Sequence, residues 1–500
     1  VTAAAQRKQR LKASARAVRV DRFFSLHLRH LKGQFAGQPF VLEPWQRDEI
    51  VYPLFGSVDP RGYRTYREAL VGVARGDGKS PFGAGIGLYG TFADDEPGAE
   101  CYALAASKDQ ARVVFGTAAA MVRASPMLDA MARVYRDVIE VPETGSIFRV
   151  LAADAGLAHG LIPHICTIDE LHVHKNPDLY EAIQSALHKR RHPLLFGMST
   201  AGFDRTTLLW RLFERGLAGD DPRFFFRWWA GPDGCAASDT KAMRAANPAS
   251  WITIRSLQAQ RRSMPEAIFR RLHLNQWTTS EATWIPMPLW DACAGKPSIP
   301  VDAPVFIGVD AAPKKDTTAV VIVYRDDHGV HHWKVHIFRA DRAMGYLDFL
   351  EVEDLLRELC MTYDVRRILF DPFTMMRSMI TLAEEGLPVE EYPQNDARMV
   401  PASQTLYDLV LEARVRHGGD PVLRAQAAVA AARETSRGWR LQKLRSASAI
   451  DSIVAGAMAS HIAEQEATLS GGSTVFSFDE DELDDLDDDE LNLDDPDLDG

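Results

Sequence analysis

Short unbroken apolar runs, each closing on small or acidic residues, mark the predicted strands in the first half of the chain. Ala69–Val73 enters a tight turn, and Gly78-Lys79-Ser80 leaves it into a helix of small residues, PFGAGIGLYGTFA. Residues 99–122 read as a strand, a turn at Ser107-Lys108 and a helix. Residues 147–176 supply a strand, a Gly-rich excursion and a second strand, Ile165–Ile168, that closes on Asp169-Glu170. HPLLFGMSTAG (192–202) adds another buried strand, ending in Ser199-Thr200. Continuously apolar strands separated by helical stretches predict an α/β unit with a parallel sheet flanked by helices. Residues 203–300 read as helical and rich in Trp and Arg, and prolines cluster over Pro286–Pro300. From 303 the pattern restarts as three strands with hairpin turns, a helix, a fourth strand (RRILFDPF), a helix–strand pair and a late helix, SAIDSIVAGAMASHIAE. That alternation predicts a second unit with a mixed sheet.

The length of 500 residues suits two or three domains. Net charge is -12, but Asp479–Gly500 holds 14 acidic residues and no basic ones, which leaves the rest near +2. The acidity belongs to a tail, and the body does not repel DNA as the whole-chain charge suggests. Its composition predicts disorder from Leu469 onward; it serves as a solubilising tail, a dock for a basic partner or a DNA mimic. Residues 1–35 are basic and amphipathic, with one acid (Asp21), and suit either a helix packed on the next domain or a contact with DNA or a partner. The five cysteines are scattered with no CxxC pair, so neither a zinc site nor a disulfide framework is indicated, as expected in a reducing compartment. No signal peptide or bilayer-length apolar run is expected.

The turn VARGDGKS (73–80) has the layout of a phosphate-binding loop. Gly76 and Gly78 let backbone N–H groups face phosphates, Lys79 neutralises their oxygens, and Ser80 offers a hydroxyl to Mg2+. The usual first glycine is missing, because position 73 is Val. Asp169 at a strand end suits the Mg2+ water shell, and Glu170 suits the role of orienting and deprotonating the attacking water. Ser199 and Thr200 either sense a γ-phosphate or simply end a strand. Arg75 either serves as an arginine finger in cis or faces solvent. Upstream, FVLEPWQRDEI (40–50) offers Gln46 to an adenine, with Trp45 or Phe40 packing nearby.

In the second unit Asp310 ends the first strand, Asp371 ends the fourth and Asp451 enters the last helix. Three acids in that order, on β-β-β-helix-β, form the layout of RNase H-like nucleases, where clustered carboxylates bind two Mg2+ or Mn2+ ions. Asp316 is a spare acid. Arg398 and Lys443 are phosphate contacts or solvated surface. The expected organisation is a basic segment at 1–35, a P-loop ATPase domain with helical lid at 36–285, a linker at 286–302, an RNase H-like domain at 303–468 and an acidic tail at 469–500.

ARGDGKS (74–80), TIDELH (167–172), STAG (199–202), HLNQW (273–277), GVDAAPKKDTT (308–318) and ILFDP (368–372) together resemble the large terminase subunit of tailed double-stranded-DNA phages, over roughly 40–465. The resemblance implies an ATP-driven motor that moves double-stranded DNA into a preformed capsid and cuts it. It implies ATP with Mg2+ at Lys79, Ser80 and Asp169, a catalytic Glu170, Arg75 as the cis finger, coupling through Ser199-Thr200, and nuclease metals on Asp310, Asp371 and Asp451. Implied partners are a small terminase subunit and the portal ring, on which the chain forms a homo-oligomeric ring in the host cytoplasm. The acidic tail is not part of that pattern. A helicase-like translocase or repair ATPase is the alternative, disfavoured because nuclease carboxylates fill the place of a second motor domain. A third reading, an assembly protein with decayed sites, predicts losses at Lys79, Glu170 or the three aspartates, and none is seen.

Overall fold

The computed structural model describes residues 15–105, 108–152, 160–174, 177–278, 283–311, 317–339, 349–435, 437–443 and 449–471. Asp316, the basic residues before Ala15 and the acidic stretch 472–500 lie outside the described residues. The chain forms two compact units, Val1–Met287 with Ala428–Ser448, and Pro288–Ala427 with Ala449–Gly500. Residues 428–448, which the sequence reading runs within 303–468, thus group with the first unit.

The first unit is built on strands β1 (Glu68–Gly72), β2 (Glu100–Ala105), β3 (Arg133–Val134), β4 (Val138–Val141), β5 (Ser146–Ala152), β6 (Pro163–Ile168), β7 (Leu194–Ser199) and β8 (Phe224–Trp228). Their order is β3-β4-β5-β2-β6-β7-β1-β8. The pairs from β5 through β2, β6, β7 and β1 to β8 are all parallel, and β3 and β4 add an antiparallel edge. Every residue of β1, β6 and β7 is buried, which is why these strands read as unbroken apolar runs.

The helix after the phosphate loop, Lys79–Phe92, packs into this core. Its small residues follow from close neighbours: a Cβ at Gly85 would stand 2.4 Å from the Phe24 ring, and one at Gly87 2.7 Å from Phe148. Phe24 belongs to helix Ala15–His27, the described part of the basic segment, which buries Ala17, Val20, Phe23 and Phe24. Its Arg19 pairs with Asp95, and Arg16 contacts the His192 ring, so this face is anchored to the unit.

Residues 203–300 hold the expected helices, including Leu208–Ala218, Ile254–Arg262 and Glu266–His273. One correction is needed within them: FFFRW is strand β8, paired with β1 from Glu68↔Phe224 to Gly72↔Trp228. An aromatic run suits a half-covered strand and has no helical period. Pairing with the open side of β1 decides its state.

The second unit carries β9 (Pro304–Asp310), β10 (Thr317–Arg325), β11 (His331–Arg339), β12 (Asp364–Phe370), β13 (Val389–Glu391) and β14 (Val415–His417), in the order β13-β12-β9-β10-β11-β14. The first three strands pair antiparallel and β12 joins β9 in parallel, the predicted mixed sheet. The remaining strands, β15 (Ala430–Thr435) and β16 (Gly438–Lys443), form a separate hairpin in the first unit. Helix Asp451–Gly471 lies on β9 and β10. Its first ten residues are buried, and it comes so close that a Cβ at Gly308 would stand 2.0 Å from the Ala455 carbonyl oxygen.

Gly308→Ala must push this helix off β9, because the obstructing atom is backbone. Overpacking of this kind costs about 1–3 kcal/mol or more. Thermal unfolding of the full chain should show an earlier transition for the second unit, with the first unit's transition unchanged.

Candidate functional site

Parallel pairing brings three strand ends to one edge of the first sheet. Gly72 of β1 stands beside Ser199 of β7, and Ile168 of β6 beside Gly197. The phosphate loop, Asp169-Glu170 and Ser199-Thr200 therefore share that edge, where ligands bind in open parallel sheets. The loop turns through Gly76 (φ +96°) and Gly78 (φ +78°). Trp251 Nε1 donates to the Gly76 carbonyl at 2.9 Å, and Arg75 N donates to the Leu272 carbonyl at 2.7 Å. These two contacts set the loop against residues far along the chain.

Lys79 is buried, and its ammonium donates to Thr200 Oγ1 at 2.8 Å and to the Ala74 carbonyl at 3.1 Å. It also lies 3.9 Å from Glu170 Oε1. Ser80 Oγ donates to Asp169 Oδ2, and Glu170 N donates to Asp169 Oδ1 at 3.0 Å. Lys79, Ser80, Asp169, Thr167 and Met198 line a small cavity. A serine hydroxyl against a carboxylate is an oxygen donor set that fits Mg2+.

Glu170 sits in the left-handed region (φ 51°, ψ 52°), uncommon for a residue with a side chain. Its carboxylate takes His172 Nδ1 at 3.1 Å, while His172 N donates to Ser199 Oγ at 3.1 Å. Burial pushes the Glu170 carboxyl up, but the Lys79 ammonium and His172 outweigh it and hold the group down at about 2. Asp169 moves the other way, raised by burial and by the Glu170 charge against the Ser80 hydrogen bond. The neighbouring acids are thus pushed apart, which suits different roles for each.

Gln46 is buried, and its Oε1 accepts from Glu43 N at 3.1 Å in a capping box. That oxygen is committed to the backbone, and Nε2 is left without a protein partner. Glu43 accepts from Ser250 N at 2.9 Å and Ser250 Oγ at 2.7 Å, one residue before Trp251 at the phosphate loop. Trp45 packs on Trp229 with ring centroids 5.2 Å apart, and Phe40 against Phe24 at the same separation.

Two residues beyond the predicted set belong to this edge. Arg271 is buried, donates to the Ala201 carbonyl at 3.1 Å and pairs with Glu434 of β15. Glu434 also takes Arg75 Nη1 at 3.4 Å. Burial pulls the Arg271 guanidinium down to about 10, and the nearby Glu170 charge opposes that pull. No local pattern marks Arg271 or Glu434, whose partners are 163 residues apart. HLNQW, by contrast, is a tie between strand ends. Asn275 Oδ1 accepts from Ala201 N and Asn275 Nδ2 donates to the Trp229 carbonyl, each at 2.7 Å.

In the second unit Phe370 pairs with Val309, so Asp371 follows one strand end beside Asp310 on its neighbour. Asp451 opens the helix that packs on β9. Asp310 Oδ1 accepts from Gln394 Nε2 at 2.8 Å, and Asp451 Oδ2 accepts from Thr317 Oγ1 at 2.5 Å. Asp371 Oδ1 caps helix Pro372–Glu384 at Phe373 N, 3.3 Å away. Among the described residues no three His, Cys, Asp or Glu side chains stand close enough to hold a metal ion. The expected three-acid cluster is therefore not closed, and Gln394 and Thr317 hold two of its members. The donor chemistry still fits a hard cation, since Mg2+ is commonly bound by one or two carboxylates completed by water and substrate phosphate. Arg398 stacks over Tyr392 at 5.4 Å, and Lys443 ends β16 in the first unit.

Two family descriptions match the chain in tandem. The terminase large subunit ATPase domain matches residues 44–215, and the terminase large subunit endonuclease domain matches 251–344 and 331–466. Together they define an enzyme that hydrolyses ATP and cleaves DNA. The chain belongs to the terminase large-subunit family. It is 29% identical over 489 residues to the terminase large subunit of Enterobacteria phage HK97, covering 88% of this chain and 94% of that protein. Protein YmfN of Escherichia coli (strain K12) is 24% identical over 193 residues, covering 35% of this chain and 42% of YmfN. The crystal structure of the HK97 bacteriophage large terminase aligns with a TM-score of 0.46 at 24% identity, over 89% of this chain and 99% of that one. A large terminase from a thermophilic bacteriophage aligns at 0.49 and 11% identity, over 80% and 92%. The family matches give the helicase-like alternative no support. Among the described residues no helix is long and apolar enough to cross a membrane.

Asp77, inside the loop, is fully buried, with Oδ1 accepting from Ala249 N at 3.0 Å and Oδ2 unpartnered. Burial raises its carboxyl from 3.8 to about 7, against the Ala249 hydrogen bond and the Lys79 charge. The native state therefore binds more protons than the unfolded chain between those values, and stability falls as pH rises through about 7. Asp77→Asn keeps the acceptor without the charge. In nucleotide-free protein it should match wild type near pH 4 and exceed it at pH 8 by roughly 2–4 kcal/mol, measured by denaturant unfolding. Equal stability at pH 8 would remove this account of the loop.

Proposed function

We propose that the edge formed by Lys79, Ser80, Asp169 and Glu170 is the ATP site of a DNA-packaging motor, and that Asp310, Asp371 and Asp451 are its DNA-cutting carboxylates. The observation that carries the reading is the contact of Ser80 with Asp169 beside Lys79, at a loop whose glycines open backbone N–H groups to a phosphate. Lys79 leaves Thr200 and the Ala74 carbonyl to meet the β- and γ-phosphates. Ser80 and Asp169 would hold Mg2+, which would supply positive charge against the charge developing on the phosphate oxygens. As Lys79 turns to the phosphate, Glu170 loses the cation that holds its carboxyl down and becomes a better base for water. His172 keeps Glu170 in line with Ser199, so departure of the phosphate is felt at β7. Thr200, relieved of Lys79, completes that coupling. Arg75 is the cis cation of the site, and Gln46 Nε2 offers the base its one unpartnered donor.

In the second unit, Asp310, Asp371 and Asp451 would hold Mg2+ or Mn2+, two ions in the full site, whose Lewis acidity would serve to activate water and stabilise the leaving oxygen. Gln394 and Thr317 would position the Asp310 and Asp451 carboxylates for that role. Packaging supplies the rest of the reading: double-stranded DNA as cargo, a small terminase subunit to present it, and a portal ring in the host cytoplasm on which copies of this chain assemble as a homo-oligomeric ring.

Two substitutions separate the activities. Glu170→Gln should bind ATP yet lose hydrolysis by about 100-fold or more while cleavage persists in part. Asp371→Asn should do the reverse. Supercoiled-plasmid cleavage with Mg2+ or Mn2+, wild type beside Asp310→Ala, tests the second site directly. Metal-dependent cutting that disappears in the variant is the expected result, and full ATPase activity in Glu170→Gln would overturn the assignment of the base.

A further inference from the structure

Arg75 and Arg271 converge on one anion. Arg271 is only 4% exposed, and its guanidinium is held between the Ala201 carbonyl, just past Thr200, and the Glu434 carboxylate. Arg75 reaches the same carboxylate from within the phosphate loop. Its backbone N–H meets the carbonyl of Leu272, next to Arg271 in the chain, so the two cations are fixed to one another through backbone. Lys79 and Glu170 lie alongside. Glu434 stands on β15, in a hairpin tied to the first unit by Trp284 N donating to the Ala430 carbonyl at 3.2 Å. A buried guanidinium stripped of its counter-charge is strongly unfavourable. This place therefore holds either the Glu434 carboxylate or another anion of similar size.

We propose that Glu434 occupies the position of the nucleotide's terminal phosphate, and that Arg271 is a second phosphate-contacting arginine which Glu434 keeps occupied until ATP displaces it. The proposal rests on the ATP-site reading above and deepens it. A carboxylate and a phosphate both accept the forked N–H groups of arginine, so one replaces the other without a new cation or a new fold. The hairpin then acts as an internal competitor. ATP binding must expel it, and it returns when phosphate leaves.

The test uses the full-length protein, with steady-state ATPase kinetics and inhibition by inorganic phosphate. Glu434→Gln keeps the side chain's size and removes its charge. It should lower KM for ATP, and the phosphate concentration giving half inhibition, by about 5–10-fold. Arg271→Ala should lower kcat by about 100-fold, and Arg271→Lys should restore part of that loss. A purely structural ion pair predicts a fall in melting temperature for Glu434→Gln with KM and phosphate inhibition unmoved, and that result overturns the proposal. So does Glu434→Gln kinetics identical to wild type while Lys79→Ala abolishes turnover, which leaves the ATP site standing. Wild-type turnover unaffected by Lys79→Ala would instead overturn the ATP-site reading, and this proposal with it.

Discussion

Parallel pairing of β6, β7 and β1 is the constraint on which the ATPase edge depends. Because the three strands run the same way in fixed register, the loop after β1, the acids after β6 and the hydroxyls after β7 must emerge together. A single-residue slip would turn each strand's side chains to the opposite face of the sheet. Full burial on both faces penalises such a slip at every position. The site's geometry is therefore held by burial of whole strands, the Glu68 carboxylate of β1 included, which is paired with Arg215. The small residues of helix Lys79–Phe92 let Phe24 and Phe148 press against it and fix where Lys79 and Ser80 begin.

On that frame the chemistry is a problem of charge balance. Buried Lys79 and Arg271 and the half-exposed Arg75 face Asp169, Glu170 and Glu434. On the proposed assignment ATP with its Mg2+ would take the place of three sets of these contacts: the Lys79 bond to Thr200, the Ser80 bond to Asp169 and the arginine pairs with Glu434. A site whose cations are already paired internally avoids the penalty of isolated buried charge.

Much of this was legible in the sequence because it is local. The run from Val73 to Ser80, the strand closing on Asp169-Glu170, and the strand closing on Ser199-Thr200 each carry their signal within a few residues. The order β-β-β-helix-β with Asp310 and Asp371 at strand ends was readable for the same reason. What escaped is non-local. Strand β8 lacks a period of its own and is a strand because β1 has an open side. Gln46 is drawn into a capping box by Glu43, a contact that a motif search for an adenine ligand does not weigh. Glu434 and Arg271 meet only because the chain leaves the second unit to place a hairpin in the first.

The chain enters that hairpin from a segment held by hydrogen bonds within the second unit. Gln426, four residues before β15 begins, donates to Thr317 Oγ1 at 3.0 Å and accepts from Ser452 N at 2.8 Å. Thr317 in turn holds Asp451. Gln426 and Glu434 are only eight positions apart in the chain. Those residues include the buried Ala427, Ala430 and Ala431, which leave little slack to absorb a shift. The same short segment thus runs from Gln426, which Thr317 joins to Asp451, to Glu434 beside Arg75 and Arg271.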